Sequence, residues 1–290
     1  MTRLIGQQLP SITLKTQKSF GVAPRIGMLV TLMLILASAV NAQTTGEAQN
    51  EQWSVARASI WYDQLPWPVG FNYAPRYAIN QLEMWQEDTF DPVIIDQELG
   101  WAAGIGFNMV RVFLHHLPWQ QDAAAFSQRI DLFLSIAEKH DIDVMFVLFD
   151  DVWNPVPQLG KQPEPTPGVH NSGWVQSPGA AILGDIHRHD ELEPYVRGIL
   201  SRYGDDERVA IWDLYNEPGN LNAIPYGNAE VDDKPKYSLI LLEKVFAWAR
   251  SEKPIQPLTS GVWRVKDGRW LGEDKDDPGA ALFDFMLQHS

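Results

Sequence analysis

The chain has 290 residues, 37 acidic against 23 basic side chains, a formal net charge of −14, 12 tryptophans and no cysteine. That length allows one large domain or two small ones, and the apolar, Trp-rich composition argues for a packed core over disorder. The charge makes nucleic acid a poor partner and suits a neutral or cationic substrate better; the lack of cysteine excludes thiol catalysis and disulfide support.

Residues 1–42 carry Arg3, Lys15, Lys18 and Arg25 and no acid, and then an uncharged run from Ile26 to Val40. Val40-Asn41-Ala42 has small residues where a signal peptidase reads. The pattern is that of a secretory signal cleaved after Ala42. An uncleaved signal anchor is the alternative, although the run is shorter than the ~20 residues of a membrane-spanning helix. The expected product is secreted or periplasmic, with no stable membrane span once the signal is removed. Residues 43–52 read as a polar linker and 53–290 as the folded domain.

In chain order, Trp53, Ala56, Ile60 and Trp61 fall at helical spacing, and Pro66 and Pro68 follow that helix. Val69 to Asn72 is the first strand candidate. Asp91-Pro92 opens a helix with a cap and a first-turn proline; it turns Ile95, Leu99 and Ala102 inward and stops at Gly104. Phe107 to Leu114 is a second strand. Asp122 starts a long helix with Phe126, Ile130, Phe133, Leu134 and Ala137 on one face. Asp143 to Phe149 is a third strand, followed by an irregular Pro/Gly-rich segment to about His187. Glu191 to Tyr203 is helical, its regular part set back by Pro194. Val209 to Tyr215 is the fourth strand. Leu239, Leu242, Phe246 and Ala249 mark a helix, Gln256 to Val262 a weaker fifth strand, and Ala280 to Gln288 a last helix.

Strands apolar on both faces that alternate with helices predict a parallel α/β sheet. No glycine-rich phosphate loop follows the first strand, which argues against a nucleotide-binding fold. Polar and aromatic residues collect just past the strand ends: Asn72 and Tyr73, then Arg111, His115 and His116, then Asp150, Asp151 and Trp153, then Asn216 and Glu217, then Trp263. In parallel folds that end is where ligands bind. Carboxylates among tryptophans suit a carbohydrate, because sugar faces stack on indole while hydroxyls bond acids and amides. Trp153, Trp174 and Trp263 are expected at the site; Trp101, Trp212 and Trp248 are expected in the core. Of His115 and His116, neighbours on a strand end, at most one should point inward. A metal site joining either to Asp150 or Asp151 has no supporting ligand spacing, and no cofactor is expected.

Asp213-Leu214-Tyr215-Asn216-Glu217-Pro218 resembles the fourth-strand motif of the retaining (β/α)8-barrel glycosidases, and most of all the cellulase-like, family-5-type branch. Gly104 to Val112 and Val147 to Trp153 resemble that branch's second- and third-strand segments, so the likeness runs from about Trp53 to the end. The resemblance implies a TIM barrel and hydrolysis of a β-glycan or its oligosaccharides by two carboxylates. It implies Glu217 as general acid/base, Asn216 on the sugar 2-hydroxyl, and Arg111 holding the nucleophile ionised. His115, Asp150, Asp151, Trp153, Trp174 and Trp263 complete the expected substrate-binding set, although Asp150 stands where many relatives place histidine. The family nucleophile is a glutamate on the seventh strand. About five of the eight βα units of such a barrel are recognisable here, Glu273 lies in a charged loop near Asp274 and Asp276, and no later glutamate fits. The expectation is therefore an incomplete barrel, marginally stable alone, with little or no retaining activity. The alternatives are a non-catalytic glycan-binding protein or an inactive relic of such an enzyme.

Overall fold

A computed structural model describes residues 52–222, 226–263, 265–266, 269–270 and 280–289. The leader, all of the linker but Gln52, and Glu273, Asp274 and Asp276 lie outside them.

The first helix, α1 (Val55–Gln64), starts on Ser54, whose hydroxyl accepts from Arg57 N at 3.2 Å, and none of its residues is buried. Strand β1 (Gly70–Asn72) leads to a helix not foreseen from sequence, α2 (Gln81–Trp85), capped by the Asn80 side chain. In α3 (Pro92–Gly104), Asp91 accepts from the amides of Val93 and Ile94, and Pro92 takes a position where no amide donor is needed. Ile95, Leu99 and Ala102 face the core as the spacing predicts. Strand β2 (Met109–Phe113) is followed by a short α4 (His116–Gln121) and then α5 (Ala123–Lys139), with Asp122 as its cap. The predicted apolar face of α5, from Phe126 to Ala137, is fully buried.

Strand β3 (Asp143–Asp150) ends in the long segment that reaches α6 (Ala180–Leu183). Pro194 sits in the first turn of α7 (Glu193–Tyr203), which is preceded by a 3₁₀ stretch, Ile186–Leu192. Strand β4 (Val209–Asn216), α8 (Lys234–Ser251) and β5 (Leu258–Gly261) follow. A 3₁₀ turn (Gly227–Ala229) between β4 and α8, a two-residue antiparallel pair, β6 (Val265–Lys266) with β7 (Arg269–Trp270), and α9 (Ala280–His289) complete the described elements.

The main sheet runs β1-β2-β3-β4-β5 in sequence order, with every pairing parallel. Consecutive parallel neighbours joined through helices are the arrangement of a (β/α) barrel wall, and the described strands form an open, partial barrel. Strands β3 and β4 lie at its middle and are almost entirely buried. Phe146 and Trp212 stack between them at 5.8 Å. Register brings the functional ends level: Asn72 pairs with Arg111, and Asp150 with Asn216.

One of the three core tryptophan assignments fails. Trp212 and Trp248 are buried, but Trp101 is 60% exposed on α3, with the Arg76 guanidinium 5.8 Å above its ring. Trp101 follows the inward Leu99 by two residues, which on a helix turns it away from the core. Among the described residues, no helix is long and apolar enough to cross a membrane.

Candidate functional site

The carboxyl ends of β1 to β4 open into one pocket with a cavity of about 390 Å³. Its floor is Asn72, Arg111, Asp150 and Asn216, with Glu217 just beyond β4. Its wall comes from the segment after β3, through Val152, Trp153, His170, Asn171 and Trp174, with Tyr73 and Phe113 opposite on the strand ends. Of the predicted site residues, this brings together Glu217, Asn216, Arg111, Asp150, Trp153 and Trp174.

Asp213 is a buried acid within an apolar strand, and burial pushes its carboxyl up while Arg111 opposes the rise. Arg111 satisfies it from β2: Nε donates to Oδ2 at 3.1 Å and Nη2 to the same oxygen at 2.5 Å. The same guanidinium donates to Asn72 Oδ1 at 3.1 Å and to Asn216 Oδ1 at 2.8 Å, and it lies 4.7 Å from the Phe113 ring centre. Unpaired, a charge this deep would cost several kcal/mol; paired and hydrogen-bonded, it is tolerated.

Asp150 is 1% exposed. Its Oδ1 accepts from Asn216 Nδ2 at 2.8 Å and from Val152 N at 3.2 Å, and its Oδ2 from Trp174 Nε1 at 2.7 Å. Burial pushes this carboxyl up to about 8; the Asn216, Trp174 and Val152 donors oppose that rise, and the nearby Glu217 adds to it.

Glu217 occupies a tight turn. Its own φ is +46° and that of Gly219 is +77°. A non-glycine residue in the left-handed region costs on the order of 1 kcal/mol and persists where its surroundings hold it. Glu217 N donates to Gly261 O at 3.0 Å, and Asn220 N closes the turn onto Glu217 O at 3.1 Å. Asn220 Nδ2 donates to Glu217 Oε2 at 2.6 Å. Trp263 Nε1 donates to Pro218 O at 3.1 Å, which sets the indole against the turn and not among the pocket's described lining residues.

Asp151 and His115 also stand behind the lining. Asp151 Oδ1 accepts from Tyr215 Oη at 2.7 Å, and its Oδ2 from Gly219 N and Ser238 Oγ, each at 2.6 Å. Burial raises this carboxyl, while Lys234, Ser238, Gly219 and Tyr215 pull it back. The ammonium of Lys234 donates to Asp151 O at 2.8 Å and pairs with Glu230 at 2.9 Å. Asp151 therefore braces the Glu217 turn from below. His115 and His116 are both buried and stack at 4.7 Å. Gln176 O and Leu117 N hold His115, and burial drives its imidazole down to about 3. At most one of the pair was expected to point inward; both are buried, as a structural pair at the start of α4.

Three amides from the unforeseen α2 region hold the long segment in place. Asn80 Nδ2 donates to Gln162 Oε1 and Gly173 O, each at 2.8 Å. Gln81 Nε2 donates to Val175 O at 2.6 Å, and Gln86 bonds both the amide and the carbonyl of Gly160. Within the wall Trp153 meets His170 edge-on at 5.7 Å, and Trp174 reaches the strand end by meeting Phe113 edge-on at 5.1 Å. Phe113 and Asp213 were missed in the sequence, although both left a signal. Phe113 shares a strand face with Arg111 two residues back, and Asp213 is an acid inside a buried strand that demands a cation nearby. Among the described residues, no group of three or more His, Asp or Glu side chains could hold a metal ion.

A scan against protein-family models finds no match, and neither does a search of curated proteins. Solved structures of similar chain course include an endo-1,4-β-mannanase from Rhizomucor miehei, with 15% identity over 73% of this chain and 63% of that one and a TM-score of 0.49. A GH5_18 protein from Streptomyces cattleya, in complex with GlcNAc, is 14% identical over 71% of this chain and 48% of its own, with a TM-score of 0.48. An endo-β-1,4-mannanase from Thermotoga petrophila is 13% identical over 69% and 44%, with a TM-score of 0.44. The chain spans about half to two thirds of the length of these proteins, and the likeness is one of chain course.

Proposed function

We propose that this chain forms the acid/base side of a retaining β-glycosidase site and binds a β-glycan or its oligosaccharides. One observation carries the reading: Glu217 sits past the end of β4, held in a braced turn, on a pocket with amide and guanidinium groups in its floor and two tryptophans in its wall. Indoles stack on the flat faces of sugar rings, and the polar floor bonds their hydroxyls. Glu217 would protonate the leaving oxygen and then activate water, and Asn216 would bond the 2-hydroxyl, a contact that strengthens at the transition state. Arg111, occupied by Asp213, Asn72 and Asn216, would serve by keeping the floor in place. The endo-mannanases among the similar structures make β-1,4-linked mannose oligosaccharides the first probes, with cello-oligosaccharides beside them.

The retaining mechanism needs a second carboxylate about 5 Å from the first. Among the described lining residues the other carboxylate is Asp150, and both of its oxygens already accept bonds from protein donors. That favours a second reading, glycan binding without turnover, for the described pocket by itself; the nucleophile would come from outside the described residues. Glu217→Gln tests both readings. Under the first, slow hydrolysis of an aryl β-glycoside disappears while oligosaccharide binding persists. Under the second, the parent protein binds and does not hydrolyse. A parent protein that does neither refutes the proposal. Export is proposed from the leader, and N-terminal sequencing of the mature protein, expected to begin at Gln43, checks it.

A further inference from the structure

We propose that Asp150 is a positioning residue that fixes the amide of Asn216, so that the pocket presents a hydrogen-bond donor, and not an acceptor, to the ligand's 2-hydroxyl. The inference rests on the glycan-site reading above. The two ends of an asparagine amide are nearly equal in size, and only their partners decide which way it faces. Here the two partners differ in kind. The Arg111 guanidinium can only donate, and its Nη2 reaches Asn216 Oδ1 at 2.8 Å. Asp150 Oδ1 accepts from Asn216 Nδ2 at 2.8 Å. A reversed amide would set N–H against the guanidinium and its oxygen against Asp150 Oδ1, which already accepts from the Val152 amide, so both ends favour the same orientation.

A third contact closes the cage. A Cβ on Gly261 would come within 2.9 Å of Asn216 Oδ1 and 3.2 Å of its Cα, so the glycine leaves the amide just enough room. Asp150 is not free to turn either. The Val152 amide holds its Oδ1 and the Trp174 indole its Oδ2, so one carboxylate ties the floor to the aromatic wall. The arrangement survives protonation, because a proton on Oδ2 leaves Oδ1 an acceptor. Asn216 Nδ2 carries two hydrogens. Asp150 takes one, and the other is left for a ligand in the pocket that Asn216 lines.

The test uses the full chain with methyl β-D-glucopyranoside, methyl β-D-mannopyranoside and their shared 2-deoxy analogue, titrated by NMR. The wild type should bind the better of the two hydroxylated glycosides about tenfold more tightly than the 2-deoxy compound, the size of one net hydrogen bond. Asp150→Leu, which removes the acceptor for Asn216 Nδ2 and leaves Arg111 to hold the amide, should bring that ratio within about twofold. Trp174→Phe removes the indole bond to Asp150 Oδ2 while Val152 still holds Oδ1, and should weaken all three ligands while keeping the ratio. A second readout needs no variant: on the wild type, the hydroxylated glycosides should shift one hydrogen of the Asn216 side-chain amide, and the 2-deoxy compound neither. An undiminished ratio in Asp150→Leu, a lost ratio in Trp174→Phe, or both amide hydrogens shifting would overturn the proposal while the glycan-site reading stands. No binding of any of the three by the wild type would overturn both.

Discussion

Replacing Asp151 by alanine should destabilise the protein far more than its unremarkable position beside Asp150 in the sequence suggests. The carboxylate is fully buried and accepts from Tyr215 Oη, Gly219 N and Ser238 Oγ at 2.6–2.7 Å. Truncation leaves three buried donors without that acceptor, each worth about 1–3 kcal/mol of lost solvation. It also deprives the buried Lys234 ammonium of a nearby negative charge, leaving Glu230 as its ion-pair partner. Two hydroxyls among the donors can rotate toward other acceptors, so the sum shrinks to about 4 kcal/mol, a large share of the ~5–15 kcal/mol that holds a typical domain together. Asp151→Asn should cost less, about 1–2 kcal/mol, because the Tyr215 hydroxyl can turn to accept from the new amide. Urea unfolding with an unchanged slope gives both numbers. A loss below about 1 kcal/mol for the alanine variant would refute the view that this network is the brace under the Glu217 turn.

Three other outcomes follow from the same geometry. Burial holds Asp150 at about 8 against an ordinary 3.8, so between those values the folded state keeps a proton that the unfolded chain has lost. Its contribution to stability is therefore present below the lower value and is lost as pH rises through the upper one; urea midpoints at pH 5, 7 and 9 should fall more steeply for the wild type than for Asp150→Asn. Gln86→Ala removes both bonds to Gly160 and should raise hydrogen exchange across residues 158–176 several-fold, with weaker oligosaccharide binding; unchanged exchange would show that the wall does not depend on this latch. Gly179→Ala should cost about 1–3 kcal/mol, since φ is +89° there and a Cβ would run into Pro157, and thermal melting reads the loss.

The sheet was legible because its strands are apolar runs of the right length, and the helices because their inward residues recur at helical spacing. The motif ending in Glu217 announced the pocket for the same reason: a buried strand that stops in an amide, an acid and a proline has to open onto something. What the sequence concealed was depth. Asp150 and Asp151 are neighbours at a strand end, where alternation sends one to the pocket and the other behind it; the one-dimensional pattern does not say which. His115 and His116 looked like strand-end site residues, yet the chain starts a helix there and both rings are packed away. The latch from Asn80, Gln81 and Gln86 spans 74 to 94 residues, beyond the reach of any local pattern. Trp263 was expected in the pocket as a platform, and the structure sets it against the Pro218 carbonyl.

The central claim is that the pocket between Glu217 and the two tryptophans is a sugar site. A crystal of the chain soaked with β-1,4-mannotriose or cellotriose tests it most directly. The account predicts a ring against Trp153 or Trp174, with one hydroxyl within hydrogen-bonding distance of Asn216 and a glycosidic oxygen facing Glu217. Sugar bound elsewhere with this pocket empty, or no bound sugar at saturating concentration, would contradict it.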